Sequence, residues 1–211
     1  MKRNIMIIIA IGILPVVHLF AQCVQNRDIY AFTYGGHQYE IVKELKNWTE
    51  AAACAVERGG YLVQIDNAAE NAQIMANIKA AGIQASYHPV EDGGGASYIW
   101  TGGTDKNKEG IWLWDGKNKN TGIQFWTGEG TAGKGGGVAI NGVYVNWGNI
   151  NGNEPDNFFY INDQDAMGIA LNTWPHGTAG QWNDIDSSNT LYYIIEFDKT
   201  EIKDSKGTLK H

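Results

Sequence analysis

Residues 147–184 constrain the fold more than any other stretch, because they combine many acidic and amide side chains with glycine. The stretch contains Glu154-Pro155-Asp156 near its start and Trp182-Asn183-Asp184 at its end. Carboxylate and side-chain amide oxygens are hard ligands, which suit calcium rather than zinc or copper. A cis bond before Pro155 would place both flanking acids on one side of a tight turn. The pattern predicts loops that converge on a cation, although acids and amides in glycine-rich loops are also ordinary turn formers.

The remainder of the chain predicts two short helices among many strands. Asn47 and Asn67 are suitable N-caps, each followed three residues later by glutamate, and glycines at 59–60 and 82 end the two helices. Strands are predicted at residues 35–42, 61–65, 98–105, 110–116, 166–171, 181–183 and 191–197, with their tryptophans in the core. Residues 84–96 and 121–142 are rich in glycine and predict loop insertions.

The order of these motifs resembles the C-type lectin-like domain family. The matching residues are Trp48, Ala51, Gly59-Gly60-Tyr61-Leu62, Glu70-Asn71, the tryptophan and glycine motifs of 100–116, Tyr144-Val145-Asn146-Trp147 and the two oxygen-bearing triplets. The resemblance implies an α+β fold, in which two helices pack on small antiparallel sheets and a long Gly-rich loop binds the ligand.

The two cysteines do not follow the family pattern. The positions of the family's cysteines fall on Ala55, Ala166, Ser187 and Ile195, and Cys54 lies one residue before the first of them. One residue of helix turns a side chain by about 100°, so the family's disulfide is not carried over. The resemblance therefore implies a cysteine-free, bacterial-type member without a structural bridge.

The ends of the chain predict export. Lys2 and Arg3 precede an apolar run that is too short to span a bilayer, and residues 1–21 read as a signal peptide. Residues 22–36 are interpreted as a lead-in, 37–198 as the lectin-like domain and 199–211 as a polar tail. Lipid attachment at Cys23 is a weaker alternative. We expect a secreted, periplasmic or cell-surface protein with no membrane span, and the absence of a basic cluster argues against nucleic acid as a partner.

The resemblance also implies the ligands of a calcium ion. Four of them are the side chains of Glu154, Asp156, Asn183 and Asp184. The fifth position, a glutamate in the family, falls on Gln164, and the neighbouring Asp163 is an equal candidate because residues are inserted in this loop. No choice between the two follows from the sequence.

The same implied site would bind a sugar. Glu154, Asp156, Asn183 and Asp184 would bond its hydroxyls, and Trp174 or His176 would stack on its ring. The expected function is a calcium-dependent module that binds a glycan or polysaccharide. The alternative is an adhesion domain that recognises a cell-surface protein, with calcium only structural. A glycosidase with paired carboxylates is not favoured, because the acids form a cage and no nucleophile is paired with a base.

Overall fold

The computed structural model describes residues 23–128, 136–150, 154–158 and 163–199. Within these ranges the chain forms two α-helices, α1 (Trp48–Glu57) and α2 (Ala68–Ala80). The strands of the same ranges are β1 (Ile29–Tyr34), β2 (His37–Lys46), β3 (Tyr61–Leu62), β4 (Tyr98–Thr104), β5 (Ile111–Trp114), β6 (Ile123–Thr127), β7 (Val138–Ala139), β8 (Ala166–Ala170), β9 (Trp182–Ile185) and β10 (Leu191–Phe197). The predicted α+β class is confirmed. The predicted signal peptide and residues 200–211 of the predicted tail lie outside the described residues.

Both helices begin at the asparagines that the sequence indicates. The Asn47 side chain accepts from the Glu50 N–H at 2.8 Å. The Glu50 carboxylate accepts in turn from the Asn47 N–H, which completes a capping box. Asn67 accepts from the Glu70 N–H in the same way. The Glu70 carboxylate instead accepts from the Tyr39 hydroxyl and the N–H of residue 66. The second helix is therefore tied to β2 as well as capped.

The strands form one connected network in which the end of the domain returns to its beginning. Their order is β1-β2-β10-β4-β5-β6-β7, with β3 beside β10, β8 beside β4 and β9 beside β8. The pairs are antiparallel except for β10 and β4, which run parallel. The sequence analysis expected separate antiparallel sheets, and the parallel pair is what joins them. The last strand, β10, pairs antiparallel with β2.

Strand β1 lies inside the segment that the sequence analysis interpreted as a lead-in. It pairs with β2 from Ile29 opposite Val42 to Tyr34 opposite His37. The two residues between the strands, Gly35 and Gly36, have φ of 60° and 88°. Positive φ at both central residues is the requirement of a tight hairpin turn, which glycine meets without strain.

The tryptophans of the strands pack in the core, as predicted. Trp48 and Trp100 are fully buried, and their indole N–H groups donate to the carbonyl oxygens of Thr101 and Lys46. Trp112 and Trp182 are also buried and belong to a second hydrophobic core cluster. Trp48, on α1, and Trp100, on β4, pair their N–H groups with the backbone and so fix the sheet and helix α1 relative to each other.

Cys23 and Cys54 form a disulfide, with their Cα atoms 5.5 Å apart. The prediction of a cysteine-free domain without a bridge is therefore wrong, and a sulfur in this bridge cannot carry a lipid. The position of Cys54 in the helix excluded only the pairing known from the family. In this chain the partner is the N-terminal segment, which packs on α1 through the buried Val24 and a bond from the Cys23 N–H to Glu57.

Candidate metal and ligand site

The two oxygen-bearing triplets meet in space, as the sequence predicts. The bond between Glu154 and Pro155 is cis. The Asp184 carboxylate, on β9, accepts from the backbone N–H groups of Asp156 at 3.0 Å and Asn157 at 2.8 Å. A single side chain of the sheet therefore holds the proline turn in place, across 28 residues of sequence.

The turn and the sheet edge enclose one pocket of about 190 Å³. Its polar lining includes four of the predicted ligands, which are Glu154, Asp156, Gln164 and Asn183. Each of them has 2–3 % of its surface exposed. The pocket is therefore built from polar groups that the fold has taken out of water, which is unfavourable unless something compensates them.

Three oxygens of this pocket are buried and accept no hydrogen bond from the part of the chain that the structure describes. They are Oε1 of Gln164, Oδ1 of Asn183 and Oε2 of Glu154. In folded proteins nearly all buried polar atoms are paired. Three such acceptors around one pocket therefore indicate a missing positive or donating partner.

The other end of each of these side chains is fixed from behind. The Gln164 amide nitrogen donates to the Asp92 carbonyl at 2.9 Å, and that of Asn183 donates to the Tyr98 hydroxyl at 3.0 Å. The Trp174 indole N–H donates to Oε1 of Glu154 at 3.0 Å. These three bonds hold the amide nitrogens of Gln164 and Asn183 and Oε1 of Glu154. The remaining oxygen of each side chain is the one left without a donor.

The carboxylates of the site raise one another's proton affinity. Burial, followed by the charges of Asp184 and Asp156, raises the pKa of Glu154 to about 10, against a lowering by the Trp174 indole. Burial and the Asp156 charge raise the pKa of Asp184 to about 7, although the backbone N–H groups of Asn157 and Asp156 oppose this. Crowded acids in a low-dielectric site hold either protons or a cation.

These donors fit calcium. The inward groups are carboxylate and amide oxygens, the hard ligands that calcium takes in sets of about 6–8. The buried amide oxygens of Gln164 and Asn183 decide the fit, because a calcium ion in the pocket would satisfy both without any further hydrogen-bond donor. Glu154, Asp156, Gln164 and Asn183 are the residues that would hold it, with Asp184 behind the turn.

The comparison with known proteins places this site in a family. A family model described as the lectin C-type domain matches residues 44–197. The chain belongs to the C-type lectin domain family. A curated relative, Collectin-11 of Danio rerio, is 24 % identical over 164 residues, which are 78 % of this chain and 44 % of the relative. The chain thus spans less than half the length of that protein.

Solved structures show the same fold. The carbohydrate-recognition domain of the mouse scavenger receptor C-type lectin aligns with a TM-score of 0.52 and 19 % identity, over 82 % of this chain and 96 % of that one. Human lithostathine aligns with a TM-score of 0.53 and 17 % identity, over 90 % of this chain and 98 % of that one. The predicted C-type lectin fold is confirmed, and identities this low show the fold alone.

Only one of the two candidates for the fifth ligand of the lectin domain lines the pocket. Gln164 is buried in the pocket, whereas Asp163 is exposed and outside the pocket lining. The Asp163 carboxylate instead lies within 4.8 Å of those of Glu109 and Asp165, in a second acidic group. The two consecutive residues therefore have different surroundings, and only Gln164 can offer an oxygen to the pocket.

Trp174 is near the predicted sugar site but presents little of its ring. It is 5 % exposed, and its ring meets Tyr98 edge-on at 5.9 Å. The edge of the Trp174 ring packs against Gly148, where a Cβ atom would lie only 2.5 Å from Cζ2 of Trp174. The predicted stacking on a sugar ring is therefore not what this geometry offers. The Trp174 indole instead positions the Glu154 carboxylate through its N–H bond to Oε1.

The sequence analysis missed the contribution of residues 84–96. This segment lines the pocket with Glu91, Asp92, Gly93 and Gly94. The Asp92 carboxylate also accepts from the backbone N–H of residue 186 and from the Asn189 amide. Asp92 followed by three glycines is a turn signal, but nothing local indicates that its carbonyl would face Gln164.

Proposed function

We propose that this lectin domain is an exported, calcium-dependent carbohydrate-binding module. The observation that carries the proposal is the set of buried oxygens without donors in the described pocket, beside the carboxylates of Glu154 and Asp156. Such a set is unfavourable alone and is stabilised by a hard divalent ion. Bound calcium would supply coordination positions for two neighbouring hydroxyls of a sugar.

The residues of the pocket act mainly as hydrogen-bond acceptors. The amide nitrogens of Gln164 and Asn183 each donate one hydrogen bond away from the pocket, to Asp92 and Tyr98. Ionised carboxylate oxygens accept only. We therefore expect sugar hydroxyls to donate to Glu154 or Asp156.

The comparisons support a glycan or polysaccharide as the partner. The mouse structure named above is described as a carbohydrate-recognition domain. Because the chain covers 44 % of Collectin-11, nothing of that protein's assembly is carried over. A bacterial origin remains a prediction from the sequence.

Export rests on two features. The N-terminal sequence has the pattern of a signal peptide, and the Cys23–Cys54 disulfide is typical of oxidising compartments. No helix in the described ranges is long and apolar enough to cross a membrane. We propose a secreted or cell-surface location on these grounds.

A protein-recognition role of the same pocket is the second candidate. Phe158 lines the pocket and is 43 % exposed. An exposed aromatic beside a polar pocket is common at protein interfaces. In that case calcium would only order the site. We do not propose an enzyme, because the acids of the pocket surround one point and no nucleophile beside a base is evident there.

A glycan array, read with calcium and with a chelator, tests the proposal. We expect binding of a limited set of glycans in calcium and none in chelator. Glu154→Gln should abolish binding, whereas Glu44→Gln, an exposed charge on β2 outside the pocket, should leave it unchanged. Glycan binding that survives the chelator would contradict the proposal. Calcium binding without any glycan would favour the protein-recognition role.

A further inference from the structure

His176 adds a nitrogen ligand to the pocket that the proposed calcium site does not use. Its Nδ1 atom lies 3.4 Å from Oε1 of Glu154 and 3.4 Å from Oδ2 of Asp156. Each of the three residues has one ligand atom within 4.8 Å of a ligand atom of the other two. The His176 side chain is 24 % exposed and lines the pocket, so the group is accessible from solvent.

The two nitrogen–oxygen distances match those around a small tetrahedral ion better than those of a salt bridge. Zinc bonds to nitrogen and oxygen ligands are about 2.0–2.1 Å long, which sets tetrahedral ligand–ligand distances of about 3.3–3.4 Å. A charged imidazole that donates to a carboxylate would approach to about 2.7–2.9 Å. Nδ1 of His176 is equally distant from both carboxylates and too far from either for such a bond.

The backbone holds His176 in this position. Trp174 and Gly177 exchange two backbone hydrogen bonds, and the His176 carbonyl accepts from the Ile150 N–H at 2.8 Å. Gly148 permits this packing, since a Cβ there would lie 2.8 Å from the His176 carbonyl oxygen. The turn that carries the imidazole is therefore braced on both sides.

The surroundings are also those of a metal site. Oε1 of Glu154 receives the Trp174 indole N–H at 3.0 Å, and a bond of this kind orients a carboxylate ligand. A neutral imidazole suits zinc, whereas calcium takes oxygen ligands. Three protein ligands leave a fourth position for water or a ligand atom.

We propose that Glu154, Asp156 and His176 bind zinc or a similar divalent transition metal, and that this ion competes with calcium for the two carboxylates. Gln164 and Asn183 belong to the proposed calcium position alone, and His176 belongs to the zinc position alone. The zinc site does not require that the pocket bind calcium or a sugar, because the imidazole and carboxylates suffice. The competition with calcium rests on the proposed function.

Isothermal titration of the untagged, calcium-free protein with zinc chloride tests this inference. We expect one ion bound per chain and, for His176→Ala or His176→Gln, at least about a tenfold loss of zinc affinity. The estimate is a lower bound, because removing even an indirect partner of a metal ligand costs about 10–100-fold. His88→Ala is the matched control, since His88 lies outside the pocket lining, and it should bind zinc as the wild type does.

A second pair of variants separates the two ions. Gln164→Met removes an amide oxygen while keeping the length of the side chain, and it should weaken calcium binding and leave zinc binding unchanged. His176→Gln should do the reverse. Cobalt in place of zinc should give the intense visible absorption of a tetrahedral site, and His176→Gln should remove it.

Two results would overturn the inference. One is zinc affinity that His176→Ala and His176→Gln both leave unchanged, which would locate the ion elsewhere. The other is zinc that binds but does not weaken calcium binding in a competition titration. Either result would leave the proposed calcium and sugar binding intact. If instead the wild type bound zinc but not calcium, the zinc site would stand and the proposed function would fail.

Discussion

Replacing Glu154 by glutamine should stabilise the protein in the absence of calcium, which is the opposite of the usual effect of changing a buried residue. Glutamine has nearly the same shape, keeps an oxygen for the Trp174 indole and offers an N–H to Asp156. It also removes an ionisable group that the folded protein keeps protonated at neutral pH, because burial and neighbouring carboxylates raise the pKa of Glu154 to about 10.

The magnitude follows from proton linkage. A raised pKa means that the folded state binds a proton more tightly than the unfolded state, so stability falls as pH rises above the unfolded pKa. Between the ordinary value of 4.5 and pH 7, at about 1.4 kcal/mol per pH unit, the penalty reaches about 3 kcal/mol. It depends on the pH and not on the exact folded pKa, provided that this lies above 7.

Thermal unfolding in chelator measures the effect. A gain of about 3 kcal/mol corresponds to a melting temperature about 6–12 °C higher for a chain of this size. The gain should shrink as the pH is lowered and vanish near pH 4.5. In calcium the order should reverse once the ion reaches about one thousand times the wild-type Kd, because the wild type then gains about 4.1 kcal/mol and the variant gains little.

The pH dependence is the decisive part of this experiment. If glutamine stabilised the protein through packing and not through electrostatics, the melting temperature would rise equally at pH 5 and pH 7.5. Should Glu154→Gln be no more stable than the wild type in chelator at pH 7.5, or should its advantage not depend on pH, the account of crowded carboxylates is wrong. The acids of the pocket would then be ordinary hydrated groups.

Three further outcomes are expected. The rise in melting temperature caused by calcium should be large at pH 8 and lost near pH 5, since protons compete with the ion at Glu154 and at Asp184, whose pKa is raised to about 7; a rise that is equal at both values would contradict this. Trp174→Phe removes the indole N–H from Glu154 and should weaken calcium binding about 10–100-fold by calorimetry, and an unchanged affinity would remove Trp174 from the site. Cys23→Ser should lower the free energy of unfolding by about 3–4 kcal/mol in denaturant titrations, the entropy expected for closing a loop over a separation of 31 residues, and unchanged stability would show that the bridge contributes nothing.

Local patterns predicted the parts of the fold that depend on neighbouring residues. The asparagine caps and the final strand follow from short-range rules, and the structure confirms them. Strand β1 could also have been found. Alternating residues on both sides of Gly35-Gly36 are a hairpin signal, whereas the family resemblance begins only at Trp48 and so gives no information on this strand.

Two features that depend on distant contacts could not be predicted. The Cys23–Cys54 bridge needs the N-terminal segment to lie on α1, and no periodicity in the sequence encodes that contact, so no bridge was expected. Asp163 and Gln164 were equal candidates, because spacing alone leaves open which of the two lines the pocket. In both cases the surroundings of the side chain follow only from the fold.

The arrangement behind the pocket explains why the site needs so much of the chain. The three oxygens that face it are each held from a different part of the sequence, through Asp92 before β4, Tyr98 within β4 and Trp174 after β8. A cation site pre-formed in this way requires little ordering when the ion binds. Its unfavourable electrostatics are then present in the ion-free protein, which is why the stability of this domain should respond to pH and calcium together.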